Sequence, residues 1–238
     1  MLCMDVSTSM DGSLGSDYSS NTRIESAKTQ AVRFVTQRPD DRIGMVVFSG
    51  EPYTLCPLTT DHEALSSLIS QTVTGFLDDG TAIGMGLAKA VERLEGSTGK
   101  SKIIVLLTDG ENNSGVISPE DAARLAKTYN IRTYIIGLGA SGDQLTPTLQ
   151  NPDGSYVMQY TPTNIDEKQL MEMAETTGGK YFRASDDLQL QQVYEEINTM
   201  EKTEYDKDEA QARKEEFLPL IFWAVFLFGI EILLRYTL

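Results

Sequence analysis

Three oxygen-bearing side chains, those of Asp5, Ser7 and Ser9, stand at alternate positions near the start of this chain. They follow the apolar residues 2–4, which indicate the end of a buried strand. Because a carboxylate and two hydroxyls spaced in this way can turn toward one point, they could bind one ion together. Mg²⁺ and Mn²⁺ prefer hard oxygen ligands of this kind. The segment therefore predicts a divalent-metal site.

Two later segments supply further candidate ligands. Thr81 precedes a predicted helix, and Asp109 ends a strongly apolar run. In a doubly wound sheet, ligands bind beyond the carboxyl ends of the strands, so we expect Asp5, Thr81 and Asp109 to converge there. We predict no catalytic residue and no organic cofactor. The predicted ligands of Mg²⁺ or Mn²⁺ are Asp5, Ser7, Ser9, Thr81 and Asp109.

The predicted site carries little negative charge for a divalent ion. Only Asp5 and Asp109 are charged, and the other three candidate ligands are neutral hydroxyls. Mg²⁺ takes about six oxygen ligands and readily keeps waters, so five side chains leave at least one coordination position open. An ion with few anionic ligands attracts an outside carboxylate. We therefore predict that an Asp or Glu of a partner protein completes the coordination shell.

The threonine ligand has alternative assignments. Thr59 and Thr60 form a second candidate pair. We prefer Thr81 because the preceding Gly80 permits close approach of the backbone. Thr81 could also serve simply as the N-cap of the helix that follows it.

Apolar strand-like runs alternate with segments of helical periodicity through the first 200 residues. This alternation predicts a doubly wound α/β fold with a mostly parallel six-stranded sheet, helices on both faces and strand order 3-2-1-4-5-6. Pro52 indicates that the third strand is an antiparallel edge strand. An irregular insertion is predicted around residues 143–154. The predicted strands comprise residues 2–6, 43–48, 52–56, 102–108, 131–138 and 181–182.

The C-terminal residues differ in kind from the rest of the chain. Residues 217–234 contain one charge, and a helix of that length spans about 27 Å, close to the thickness of a bilayer core. We predict one domain over 1–200, a charged linker over 201–216 and a transmembrane helix over 217–236, with a buried core helix as the alternative to the last. More Lys and Arg residues precede the apolar run than follow it, which favours a cytoplasmic domain.

The first predicted strand is short for a central strand. Only the apolar residues 2–4 precede Asp5, whereas strands average about five to six residues. The start of the chain has no signal-peptide pattern. We therefore expect the chain to be an N-terminally truncated piece of a longer protein.

The composition excludes several classes of protein. The net charge of −15 argues against a nucleic-acid partner, since binding of phosphates needs a basic face. Cys3 and Cys56 lie in apolar contexts and are predicted to be small buried side chains rather than a disulfide framework. His62 is the only histidine, so the chain has neither a histidine-based triad nor a histidine-rich metal site.

The spacing of Asp5, Ser7 and Ser9, with Thr81 and Asp109 further along, resembles the metal-ion-dependent adhesion site of von Willebrand factor A (VWA) domains. The resemblance covers about residues 1–200. The segments PLTTDHEAL, DDGTAIGMGLAKAV, LLTDGENNSG and TGGKYFRA are similar to bacterial Bat-type membrane proteins of aerotolerance operons. This resemblance implies a metal-dependent, non-enzymatic protein-interaction module at the cell membrane. It also implies that a MoxR-type AAA+ ATPase and other VWA membrane proteins are partners in assembling or remodelling envelope complexes.

Other functions fit parts of the sequence. A haloacid dehalogenase-type phosphatase would also use an Asp after the first strand, here Asp5, but Ser7 stands where its general acid is needed. A dinucleotide site would use the G-x-G-x-x-G match at residues 137–142, but prolines follow where a helix is needed. A domain that has lost metal binding is a third alternative, which the complete ligand set disfavours.

Overall fold

The computed structural model describes residues 1–15, 21–99, 101–139, 143–150, 156–162, 165–201, 223, 226–228, 231–232 and 235. The chain divides into two units, Met1–Glu195 and Glu196–Leu238. All five candidate metal ligands belong to the first unit. In the second unit, residues 196–201 are helical.

A six-stranded sheet forms the centre of the first unit. The strands of this unit are β1 (Leu2–Asp5), β2 (Ile43–Phe48), β3 (Pro52–Thr59), β4 (Ile103–Thr108), β5 (Arg132–Leu138), β6 (Asp143–Gln150), β7 (Tyr156–Pro162) and β8 (Tyr181–Ala184). The sheet has the order β3-β2-β1-β4-β5-β8, and only β3 is antiparallel to its neighbour. This order matches the predicted one, with the antiparallel strand at an edge and β8 as the sixth strand.

The strands β6 and β7 correct the prediction of an irregular insertion over residues 143–154. They pair with each other in antiparallel orientation, and residues 151–155 between them lie outside the described residues. Pro147 obscured β6 in the sequence because proline usually ends a strand. The pairing register shifts between Pro147 and Leu149, and strands tolerate proline at such irregularities.

The helices begin where the sequence places capping residues. Thr22, Asp61, Ser118 and Asp166 each accept a hydrogen bond from the backbone N–H three residues on. Such a cap stabilises a helix by about 1 kcal/mol. The third helix differs, since its N-cap is Ala82, whose side chain makes no cap, and Asn112 Oδ1 instead accepts from the N–H of Gly84 over 3.3 Å. The helices are α1 (Arg23–Thr36), α2 (His62–Gln71), α3 (Ile83–Glu95), α4 (Pro119–Thr128) and α5 (Glu167–Thr176), and a last helix begins at residue 187.

Both faces of the sheet are buried. On one face, α3, α4 and α5 pack against alternate strand residues such as Phe48 and Leu106. The neighbouring residues Val47 and Leu107 point to the opposite face and are equally buried. The helices α1 and α2 contact each other, and α2 also contacts β2 and β3. The α/β layering therefore agrees with the predicted one.

The predicted transmembrane helix over residues 217–236 is wrong. Among the residues that the structure describes, no helix is both long and apolar enough to cross a membrane. Such a helix needs about 20 consecutive, mostly apolar residues. The described helical positions in this segment are only 223, 226–228, 231–232 and 235. The predicted linker over 201–216 lies outside the described residues apart from Glu201.

Both cysteines are free and buried, which confirms that they serve as small core side chains. Cys3 lies within β1, and burial raises the pKa of its thiol far above the ordinary range. We therefore expect the Cys3 thiol to remain neutral in the folded protein.

Candidate metal-ion site

The two candidate carboxylates lie at the same edge of the sheet. Asp5 is the last residue of β1, and Asp109 directly follows the last residue of β4. Because β1 and β4 are parallel neighbours, their carboxyl ends meet. Both side chains are almost completely buried, since Asp5 is 0% and Asp109 2% exposed. The predicted convergence of the two acids is therefore observed.

A chain of hydrogen bonds connects the acids through the two serines. Ser9 Oγ donates to Asp109 Oδ1 over 2.7 Å, and the hydroxyl oxygens of Ser7 and Ser9 lie 3.0 Å apart. The backbone N–H of Ser7 donates to Asp5 Oδ1 over 2.9 Å. The other oxygen of Asp5 accepts a hydrogen bond from Thr108 Oγ1 over 2.7 Å. The structure thus brings together Asp5, Ser7, Ser9 and Asp109, whose role as ligands remains a prediction.

A tight turn after β1 brings the serines to the acids. The chain leaves the strand at Asp5 and forms a single 3₁₀ turn over Thr8–Asp11. In this turn, the N–H of Met10 donates to Ser7 O over 3.0 Å. The Met10 side chain is fully buried and anchors the turn in the protein interior. An apolar anchor therefore holds a polar loop in place at the end of the strand.

Thr81 is held by two loops from other strands. Ser49 Oγ donates to Gly80 O over 2.9 Å, and Ser49 O accepts from the N–H of Ala82 over 2.7 Å. On the other side, Asn113 Oδ1 accepts from the N–H of Thr81 over 2.8 Å, and the N–H of Asn113 donates to Thr81 O over 3.0 Å. The backbone of Thr81 is therefore clamped on both sides. Asn113 thus fixes this backbone through both its side chain and its own N–H.

The Thr81 hydroxyl faces the segment that carries Asp109. A Cβ placed on Gly110 would lie 3.6 Å from Thr81 Oγ1, which places that hydroxyl beside the residue following Asp109. The side chain of Thr81 makes no cap, because Ala82 is the N-cap of α3. The N-cap interpretation of Thr81 is therefore wrong, and its position suits the predicted site.

The alternative threonine lies at the opposite end of the sheet. Thr59 pairs with Ile43, the first residue of β2, whereas Asp5 pairs with Phe48, the last residue of β2. Six strand residues separate these ends by about 17 Å. Thr59 Oγ1 also accepts a hydrogen bond from the N–H of Asp61 over 2.9 Å. Thr59 is therefore excluded as a ligand of the same ion.

Arg23 belongs to the candidate site, although the motif pattern of the sequence does not include it. Its Nη1 donates to Asp109 Oδ2 and, over 3.3 Å, to Ser9 O. The Arg23 side chain is 1% exposed. One signal could have revealed it, because Arg23 lies on the same helical stripe as the apolar residues Ala27 and Phe34. An arginine on a buried stripe needs an acidic partner.

The charges explain why a cation would suit this edge. Burial raises the pKa of Asp5, and the nearby charge of Asp109 raises it further, whereas hydrogen bonds from Ser7 and Thr108 only partly oppose this. Two carboxylates and three hydroxyls gather here, and hard divalent ions prefer such oxygen ligands. The residues therefore fit Mg²⁺ or Mn²⁺. Within the described residues, no cluster of three or more His, Cys, Asp or Glu forms another type of metal site.

The raised pKa of Asp5 predicts how stability depends on pH without metal. In the unfolded chain the pKa of Asp5 is near 3.9, whereas its pKa in the folded protein is higher. The protonated carboxyl therefore stabilises the folded state fully at low pH, and this stabilisation is lost as the pH rises through the pKa of the folded state. The amide of Asp5→Asn does not ionise, so this variant does not lose stability in this way as the pH rises. In EDTA, we expect the unfolding free energy of Asp5→Asn minus that of wild type to grow between about pH 4 and 7.5, measured by urea unfolding. A difference that is constant with pH would contradict the assigned environment of Asp5.

The competing sites are less well supported by the structure. Gly137 lies within β5, and the strand β6 begins at Asp143, where a dinucleotide site needs a helix. Residues 140–142 of that match lie outside the described residues. For a phosphatase, an oxygen of Asp5 would have to reach a substrate phosphorus, yet this side chain is fully buried and both of its oxygens accept hydrogen bonds.

Comparisons with known proteins agree with this fold. A family model for the von Willebrand factor type A domain matches residues 1–196. A protein of Borreliella burgdorferi is 30% identical over 225 residues, covering 93% of this chain and 65% of the relative. A UPF0353 protein of Mycolicibacterium paratuberculosis is 31% identical over 212 residues, covering 83% of this chain and 59% of the relative. The chain thus spans less than two thirds of the length of these relatives.

Two solved structures of Bacteroides proteins share the fold. An aerotolerance-related membrane protein from Bacteroides fragilis is 25% identical with a TM-score of 0.69, over 84% of this chain and 96% of that one. The conserved hypothetical protein BatB from Bacteroides thetaiotaomicron is 26% identical with a TM-score of 0.70, over 84% of this chain and 97% of that one. The resemblance to Bat-type proteins that the sequence predicts is therefore confirmed.

Proposed function

Because the chain belongs to the von Willebrand factor type A family, and to its Bat type, we propose that it is a metal-dependent protein-interaction module. In this proposal Asp5, Ser7, Ser9, Thr81 and Asp109 hold Mg²⁺ or Mn²⁺. The bound ion offers an open, electron-poor coordination position to an Asp or Glu carboxylate of a partner protein. The domain contributes recognition rather than a reaction.

One observation carries this proposal. Ser7 and Ser9 join Asp5 to Asp109 by hydrogen bonds across 100 residues of sequence separation. The four side chains therefore already point at one another before any ion is added. Preorganisation of this kind lowers the free-energy cost of gathering ligands around an ion. The hydrogen bonds that fix the backbone of Thr81 also position its side chain, the fifth candidate ligand, in advance.

The proposed cellular role of the module draws on the description of a solved neighbour. One solved neighbour is described as an aerotolerance-related membrane protein. We therefore propose that this chain acts at the cell membrane. Its partners in this proposal are a MoxR-type AAA+ ATPase and other VWA membrane proteins. Together they would assemble or remodel envelope complexes.

Metal-gated capture of a membrane protein tests the proposal. The immobilised chain is incubated with detergent-solubilised membranes in Mg²⁺ or in EDTA, as wild type and as Asp109→Asn. We expect at least one protein to be retained by wild type in Mg²⁺ and lost both in EDTA and with Asp109→Asn. The matched control is Asp61→Asn, which changes an exposed N-cap far from the site and keeps a good capping residue. Identical recovery under all conditions would contradict metal-gated recognition.

A further inference from the structure

Arg23 connects three separate parts of the candidate site. Its backbone N–H donates to Gly12 O over 2.8 Å, and its guanidinium donates to Ser9 O and to Asp109 Oδ2. A Cβ on Gly12 would lie 3.3 Å from Arg23 Cζ, so the guanidinium packs closely against the backbone of this loop. Helix α1, the loop after β1 and the end of β4 therefore meet at Arg23.

The guanidinium is held by few hydrogen bonds for a buried arginine. Its Nη1 makes both of the contacts with oxygen, whereas Nε and Nη2 are buried and have no hydrogen-bond partner among the residues that the structure describes. An arginine that serves structure alone usually satisfies its donors, because each buried unpaired donor costs free energy. The unpaired donors of Arg23 therefore lower the free energy of unfolding. Its charge, rather than its full set of donors, is the property that the site uses.

The charge of Arg23 changes the electrostatic balance of the site. With both carboxylates ionised, as they would be around a divalent ion, Asp5, Asp109 and Arg23 carry one net negative charge, and the ion would bring this group to one net positive charge. An incoming carboxylate would then make the buried group neutral. Without Arg23, the ion alone would neutralise the two acids, and a carboxylate would leave an unbalanced buried charge, which is costly.

We propose that Arg23 tunes this site for capture of acidic partners at the expense of ion affinity. The inference rests on the proposed function, because it assigns a role to Arg23 toward the ion held by Asp5 and Asp109. Arg23 lowers the affinity for the ion alone, since it competes for Asp109 and repels the ion. The same positive charge attracts a carboxylate, and it therefore raises the affinity of the ion-loaded site for a carboxylate. Arg23 acts through Asp109 and is a positioning residue.

The test compares Arg23→Met, Arg23→Gln and Arg23→Lys with wild type. Mn²⁺ affinity is measured by electron paramagnetic resonance, with and without acetate as the carboxylate probe. Thermal unfolding in EDTA and in Mn²⁺ gives a second readout. The matched control is Arg33→Met, which removes a half-exposed arginine of the same helix, paired with Glu195 over 3.1 Å and two to three turns from Arg23.

The two neutral variants should bind Mn²⁺ about tenfold or more tightly than wild type, because one nearby positive charge is removed. Acetate should then increase their Mn²⁺ affinity less than it increases that of wild type. Mn²⁺ should also raise their unfolding temperature more than it raises that of wild type. Arg23→Lys keeps the charge and should restore wild-type behaviour on both measures, and Arg33→Met should leave both unchanged.

The possible failures separate the two proposals. If wild type binds no Mn²⁺, the proposed function is wrong. If wild type binds Mn²⁺ and the neutral variants bind it equally or more weakly, only the role of Arg23 is wrong, because a merely structural residue would lower both affinities. If neither neutral variant folds even in saturating Mn²⁺, Arg23 is needed for the fold itself, and its role as a charge-tuning residue is refuted.

Discussion

Replacing Asp5 with Asn is expected to weaken Mn²⁺ binding by about 100-fold or more, because the substitution removes one of only two carboxylates in the site. The amide has nearly the shape of the carboxylate, so the buried contacts with Ser7 and Thr108 are the only ones that must adjust. The same variant should be more stable than wild type in EDTA near neutral pH, since Asp5 no longer has to ionise beside Asp109. Calorimetric titration with Mn²⁺ and urea unfolding measure the two effects.

The opposite signs of these effects separate loss of a ligand from loss of the fold. A misfolded variant would lose both ion affinity and stability, whereas the expected variant loses only the first. Asp61→Asn is the matched control, because it makes the same chemical change at an exposed cap and should leave Mn²⁺ affinity unchanged. Retention of wild-type affinity by Asp5→Asn would remove Asp5 from the set of ligands.

Replacing Gly84 with Ala is expected to destabilise the protein by about 3 kcal/mol, at the upper end of the usual cost of overpacking. A Cβ at this position in α3 would lie 2.2 Å from Ile117 O and 2.7 Å from Ser118 C. Both are backbone atoms, so neither can move aside as a flexible side chain would. The variant should also weaken Mn²⁺ binding, because Thr81 lies just before α3 and would shift with it. Urea unfolding measures the first effect.

Gly96→Ala provides the control within the same helix. Gly96 is the C-cap of α3, its φ of −80° is available to alanine, and a Cβ there would meet nothing within 4 Å. The substitution should be neutral or stabilise the protein by up to about 1 kcal/mol, since alanine restricts the unfolded chain. Equal stability of Gly84→Ala and wild type would show that α3 does not approach the start of α4 as closely as described.

The order of the sheet could be predicted because several of its strands carry a strong local signal and alternate with helices along the chain. The strands β2 and β4 are continuous apolar runs, and turn residues or capping residues separate them from the helices. Pro52 indicated the edge strand correctly, whereas Pro147 concealed β6. Proline thus gave opposite outcomes, since its effect depends on whether its position in the pairing needs an N–H donor.

The candidate ligands could also be predicted, because their residue types and spacing form a recognisable set. Their supporting residues could not be predicted. Ser49 and Asn113 hold the backbone of Thr81 from 32 residues away on either side, and Arg23 reaches Asp109 across 86 residues. Such contacts depend on which strands become neighbours, and single-sequence patterns carry little information about them. Only the unusual position of Arg23 on a buried helical stripe hinted at its role.

The most direct measurement of the central claim is the coordination of Mn²⁺ bound to the wild-type protein. Electron–nuclear double resonance of the Mn²⁺-loaded chain with ¹³C-labelled acetate reports whether a carboxylate carbon lies next to the ion. We expect one tightly bound Mn²⁺ per chain and a ¹³C coupling that appears as acetate is added. A protein that binds no Mn²⁺, or a bound Mn²⁺ without ¹³C coupling at saturating acetate, would contradict the claim of a metal site with an open position for an acidic partner.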